Sequence, residues 1–359
     1  MKPLRLFLFL IFVLSSLTGC GNLLYLSKLG WHQSLITFHS VPVQEVLEDQ
    51  WVGHEAKEKI CFIQEVKRYG EEKLGLKRTK SYSKYFEVKG PVLYVVTASE
   101  KDRLRLYHWN FPITGRVTYK SFFTEKGVLK EKRFLETKGY DTFVQKAGAY
   151  STLGWLKDPI FSSMLQWSEA TLANLILHEM THASIYFRGQ TDFSEQMATF
   201  VGNQGAIHFL IEKYGKGSKE VMEAIHNQED DLLFSQWIGQ AYQQLSNFYA
   251  REISRDEKLR GREDLFQSLK KEFRERKVFF KTKGYNHIEK IDLNNAVLLA
   301  FRRYIHRLEN FQALYGYFEN DLRRMIDFFK EIRTSGEEPS SYLKRWMEEK
   351  GVSVPVSLQ

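Results

Sequence analysis

A chain of 359 residues, 43% hydrophobic and 27% charged, is long enough to bury a large core and too apolar to be disordered. Its formal charge of +8 is spread as Lys and Arg mixed with Glu and Asp, as in "REISRDEKLRGREDL", which reads as solvated helix faces. No basic stripe interleaved with aromatics is present, so nothing points to nucleic acid as a partner.

The opening "MKPLRLFLFLIFVLSSLTGC" reads as an export signal rather than as part of the fold. Lys2 and Arg5 precede an apolar run from Leu6 to Leu14 that is too short to span a bilayer. The ending Leu17-Thr18-Gly19-Cys20 resembles a bacterial lipoprotein box. That resemblance implies removal of residues 1–19 and a lipid on Cys20. Losing Lys2 and Arg5 lowers the formal charge from +8 to +6. Acyl chains would then hold the protein on a membrane without a spanning helix. Gly21 is not the aspartate that favours inner-membrane retention in enteric bacteria. The expected place is therefore the cell envelope, on the outer membrane facing the periplasm. With Cys20 acylated, Cys61 is the one thiol left and no intramolecular disulfide is possible. Ile60, Ile63 and Val66 around it predict a small core residue rather than a nucleophile.

Residues 20–359 are expected to form one domain of the α+β class, mainly helical. Residues 23–90 show apolar spacing of helical period around Val46 and Leu47 and through Ile60–Leu76. Residues 91–150 change character. "PVLYVVTAS", "GRVTYKSFFT" and "YDTFVQKAGAY" are β-branched and aromatic between Gly, Pro or charged breaks. They predict a small antiparallel sheet, joined by connections too short for helical crossovers. From residue 160 to 350 the pattern is helical again. Leu265, Leu269 and Phe273 make a narrow stripe for a surface helix, and "NNAVLLAFRRYIHRLENFQALYGYFENDLRRMIDFFKEI" is apolar enough to enter the core.

The chemistry concentrates in "LILHEMTHASIYFRGQTDFSEQMATFVG". Ser168 is a suitable N-cap for the helix carrying the first half, with Glu169 in its first turn, and Gly189 suits its C-terminal cap. His178 and His182, at i and i+4, project from one face about a turn apart, as two imidazoles bound to one tetrahedral Zn²⁺ must. Glu179 is rotated off that face, where it can reach a water at the metal without ligating it. After the "RGQTD" turn, with Thr191 or Asp192 as cap, Glu195 enters a second helix. Ala198, Gly202 and Gly205 share its face, with Ala206 beside the last. Small residues there let the two helices approach and bring Glu195 towards the histidines as a third ligand. Asp192 and His208 are the rival ligands.

The likeness extends well beyond the motif. "LITFHSVPVQEVL", "FPITGRVTYKSFF", "YDTFVQKAGAYSTLGWLKDPI", "LILHEMTH", "FSEQMATFVGNQGA" and "LNNAVLLAFRRY" make the chain similar to the bacterial putative aminopeptidase family, of the His-Glu-x-x-His plus glutamate type. The resemblance implies one Zn²⁺ per chain held by His178, His182 and Glu195, with Glu179 as general base. Ser194 stands where asparagine is expected before the glutamate.

The implied reaction is hydrolysis of a peptide substrate by zinc-activated water, with aminopeptidase action. It needs a donor for the oxyanion. Tyr304 is the first candidate, ahead of Tyr150 and His208. "KAGAYS" could supply an edge strand for an extended peptide. A non-catalytic zinc-stabilised envelope lipoprotein and a zinc amidase acting on cell-wall peptides are the alternatives. No residue for a substrate α-amine and no protein partner can be read from the sequence.

Overall fold

The computed structural model describes residues 20–111, 115–152 and 156–353, and side chains from Tyr25 onward. The signal expected over residues 1–19 and the side chain of Cys20 lie outside the described residues. The chain opens on helix α1 (Cys20–His39), short strand β1 (Val41–Pro42), α2 (Val43–Glu48) and α3 (His54–Glu72). It continues through β2 (Lys84–Phe86), β3 (Leu93–Ser99), the hairpin β4 (Trp109–Phe111) and β5 (Gly115–Val117), and β6 (Tyr119–Phe122). Next come α4 (Glu125–Thr137), β7 (Asp141–Ala147) and β8 (Ile160–Phe161). Helices then follow one another: α5 (Glu169–Ser184), α6 (Thr191–Tyr214), α7 (Lys219–Tyr249), α8 (Arg255–Arg276), α9 (Asn295–Ile305), α10 (Leu308–Tyr317), α11 (Leu322–Ser335) and α12 (Pro339–Glu349). The class is α+β and mainly helical, as the residue patterns predict. Among the described residues no helix is long and apolar enough to cross a membrane.

The main sheet has the order β6–β3–β7, with both outer strands antiparallel to the centre. The alternation of "LYVVTAS" buries one face with Val128 and Leu135 of α4, while α9 packs against β3 and β7. The connection from β6 to β7 is helical, contrary to the expectation of short links. The two strands run parallel with β3 between them, and α4 makes the return. A second small sheet, β1–β2–β8, includes a parallel pair and closes the stretch 73–88, which was expected to be helical. Only residues up to Glu72 are helical there, and Gly75 takes a positive φ of 66° just beyond. Helical spacing persists through Leu74 and Leu76 because both are buried, but in the turn that caps α3, where the Leu76 amide donates to the Gly70 carbonyl at 2.9 Å.

α5 and α6 form an antiparallel pair at the centre of the largest core. α3 lies against α5, and α7 and α9 lie against α6. In α3 the buried stripe is Ile60, Ile63, Val66 and Gly70, with Phe62 beside it. Cys61 is exposed, which corrects its assignment to the core. One residue past Ile60 is a rotation of about 100° around a helix, enough to leave a narrow stripe.

Candidate metal centre

Ser168 caps α5 as its composition suggests, its side chain accepting from the Thr171 amide. The other end differs from expectation. α5 stops at Ser184 rather than near Gly189, because Ile185 turns to extended backbone and enters the core. Tertiary partners satisfy that end: Arg333 donates to the Ser184 carbonyl at 3.0 Å, and the Lys77 amide to its Oγ at 2.8 Å. Gly189 still takes a left-handed φ of 79°, in the turn to α6. The N-cap of α6 is Gln190, one residue before Thr191. Ser194 closes this turn, accepting from the Phe187 amide at 3.1 Å and donating to the Gln190 carbonyl at 3.0 Å.

The small face of α6 does what its composition implies. A Cβ on Gly202 would lie 2.9 Å from the Asn174 carbonyl and 3.2 Å from His178 Cβ. At that separation Glu195 reaches both histidines. His178 Nε2 and His182 Nε2 are 3.1 Å apart, and Glu195 Oε2 is 3.4 Å and 3.2 Å from them. A tetrahedral Zn²⁺ with bonds of about 2.0–2.1 Å spaces its ligands about 3.3–3.4 Å apart, so these three atoms form one face of such a tetrahedron. The donor set, two imidazoles and a carboxylate, also suits zinc.

Electrostatics agree with a cation-seeking cluster. Burial alone would raise the Glu195 carboxyl, but its bonds with His178 and His182 outweigh burial and hold it well below the usual range. Burial likewise opposes protonation of His178, and the bond to Glu195 and the charge of Glu179 reverse that and raise it. The Ala198 backbone bonds His178 and sets its ring. His182 Nδ1 is buried with no partner among the described residues. Glu179 is raised by burial, opposed by the two histidines. No described residue donates a hydrogen bond to its carboxylate, which is left free to handle a proton.

The other candidates separate clearly. Asp192 lies 3.9 Å from Arg303 Nε and is outside the ligand cluster. His208 accepts or donates at 2.7 Å with the Tyr315 hydroxyl, also away from it. Tyr150 is committed to Gln33 at 2.5 Å and packs on Phe123 and Phe161. Tyr304, on α9, is within electrostatic reach of Glu195 and Glu179. It is 36% exposed, yet hemmed in enough that burial is the main cause raising its phenol, with Glu195 and Glu179 adding to it.

Sequence reasoning missed three further tyrosines. Tyr119 of β6, pushed up to about 12 chiefly by burial, also feels Glu195 and Glu179, and Arg303 lies over its ring at 4.9 Å. Tyr186 packs its ring 6.2 Å from His182; its place four residues after that histidine was the available signal. Buried Tyr82 feels Glu179 and holds a φ of 62°, unusual for a bulky residue and the kind of strain that gathers at functional sites. Nothing local in its sequence announces it.

This geometry sits inside a sequence match that spans most of the chain. The sequence model of the putative aminopeptidase family covers residues 24–344. The chain belongs to that family. Its fold and its cluster of two histidines and a glutamate are therefore described here for a member of a peptidase-like family. No curated protein and no solved structure matches the chain.

Proposed function

We propose that the protein is a zinc-dependent peptidase, acting as an aminopeptidase, tethered to the cell envelope through a lipid on Cys20. The observation that carries the reading is the triangle of His178, His182 and Glu195, sized for one Zn²⁺, beside an unbonded Glu179. Zinc bound there would supply Lewis acidity and bring the pKa of water down to roughly 7. Glu179 takes the proton of the attacking water and hands it to the leaving amine. Tyr304 donates to the oxyanion. Three protein ligands leave a position open, the usual mark of a catalytic rather than a structural zinc site.

The tether is supported by the exposed surface of α1 and the residues after it. α1 begins at Cys20 and exposes Trp31 and Phe38 two turns apart on one face, and Trp51 is exposed nearby in sequence. Aromatics of this kind suit a membrane–water interface. Mass spectrometry of the mature N-terminus would find the acylated Cys20, and a free, unmodified leader would end this part.

The purified mature protein should hold about one zinc per chain, and Glu179→Gln should keep it while losing turnover on aminoacyl reporters, peptides or peptidoglycan fragments screened in parallel. Glu195→Ala should weaken zinc binding. Wild type that stays metal-free after reconstitution refutes the proposal, as does a Glu179→Gln variant with full activity.

A further inference from the structure

The packing of α5 against α6 continues past the three ligands. One turn before His178, Asn174 lines a cavity of about 290 Å³ completed by Asn203, by Asn227 and Asp231 of α7, and by Thr282 and Tyr285 after α8. Four residues rise about 6 Å along a helix, so the cavity begins one turn from the metal cluster. The Cβ position of Gly202 marks the junction, 3.2 Å from His178 Cβ and 3.4 Å from Asn174 Oδ1.

Asp231 is the only carboxylate lining this space. The Tyr285 hydroxyl donates to its Oδ1 at 2.5 Å, and Asn203 Nδ2 donates to its Oδ2 at 2.9 Å. Asn203 in turn accepts from Asn174, so the chain of contacts leads back to the turn before His178. Among the described residues no cation pairs with Asp231. Its neighbour Asp230 is committed elsewhere, accepting from the Lys281 and Thr282 amides and the Thr282 hydroxyl. Lys281 is paired with Glu229 at 2.5 Å. Burial raises the Asp231 carboxyl, which the two donated bonds oppose.

A carboxylate accepts about four hydrogen bonds, and here two places are filled. A partly buried carboxylate without a counter-charge favours a ligand that brings one. One carboxylate with neutral amides is too poor a set for a divalent ion, which takes six or more oxygens or several carboxylates. An ammonium fits instead: it has three donors, and asparagine oxygens on the wall can take those that Asp231 does not. We propose that this cavity is an ammonium-binding subsite with Asp231 as its counter-ion. As a substrate subsite it rests on the peptidase reading above. It then selects peptides carrying a free amine, at the chain terminus or on a lysine-type side chain.

Calorimetric titration of the zinc-reconstituted full chain tests this without turnover. n-Butylammonium should bind and n-butanol should not. Asp231→Asn should weaken the amine on the order of tenfold or more, the scale of a lost charged hydrogen bond. Asn227→Lys sets an ammonium one turn from Asp231 and should abolish binding even if Asp231→Asn fails to fold. Norleucinamide, with only an α-amine, and Nα-acetyl-lysinamide, with only a side-chain ammonium, identify which amine the site takes. No binding of any amine to wild type, or binding unchanged in a folded Asp231→Asn or Asn227→Lys variant, overturns the subsite. A protein that binds amines through Asp231 but cleaves nothing upholds the subsite and refutes only the peptidase reading. Active enzyme whose amine binding ignores both substitutions does the reverse.

Discussion

Gly202→Ala should loosen the metal centre while leaving the protein folded. The new Cβ would meet the Asn174 carbonyl at 2.9 Å and His178 Cβ at 3.2 Å. A backbone oxygen inside α5 cannot swing aside, so relief requires α5 and α6 to part by roughly 0.5 Å. Glu195 stands on one helix and both histidines on the other, with 3.2 Å and 3.4 Å between their ligand atoms. Opening those gaps takes them past the edge of a zinc tetrahedron, where tolerance is about 0.2 Å. Stability changes little by comparison. Overpacking costs about 1–3 kcal/mol, and replacing a helical glycine returns about 1 kcal/mol. Zinc affinity should fall about 10- to 100-fold. Gly205→Ala is the control, since its Cβ would meet Leu177 Cδ1 at 2.8 Å and Leu74 Cδ1 at 3.2 Å, both side-chain ends that can rotate. Competition with a chromophoric chelator reads affinity, and thermal unfolding of the metal-free proteins reads stability. Wild-type zinc affinity in folded Gly202→Ala, or an equal loss in Gly205→Ala, refutes the reasoning.

Tyr304→Phe should lower kcat about 10²–10³-fold with zinc content unchanged, the usual loss for one oxyanion donor, and steady-state kinetics beside Tyr119→Phe would show whether the role belongs to the other phenol. Arg262→Met should destabilise the fold by about 3–5 kcal/mol in denaturant titration, because it strips Asp141 of a bidentate partner at 2.7 Å and 2.9 Å inside the protein. A loss below ~1 kcal/mol would show that the pair contributes little. His306 is lowered from 6.5 to about 3, by burial first and then by Arg302 and Arg307, and its ring accepts from Arg302 at 2.7 Å. Its folded pKa lies below its unfolded one, so the unfolded state gains the proton first and stability falls as pH drops below 6.5 towards 3. Between pH 6.5 and 5 the wild type should lose roughly 1–2 kcal/mol more than His306→Gln, and parallel acid titrations of the two would disprove the assignment.

Two kinds of information separate cleanly in this protein. The relation of His178 to His182, the cap at Ser168 and the small face of Ala198, Gly202 and Gly205 follow from helix geometry, which acts over a few residues and is written in the order of the letters. That is why the class, the motif helix and three of the central site residues were legible before any coordinates. Where α5 ends was not, because Ile185 leaves the helix for the core and Arg333, far along the chain, caps the last turn. Nor was the exposure of Cys61, since a stripe one residue wide decides which neighbour of Ile60 faces water. The tertiary structure also shows Glu195, not Asp192 or His208, with its carboxylate 3.4 Å and 3.2 Å from the two histidines. Tyr304 comes within reach of Glu195 and Glu179 on α9, which packs on the sheet and on α6, and Tyr119, Tyr82 and Asp231 come from three other parts of the chain. Local periodicity carries no record of such meetings: they are set by which faces pack together, and only the folded chain contains that.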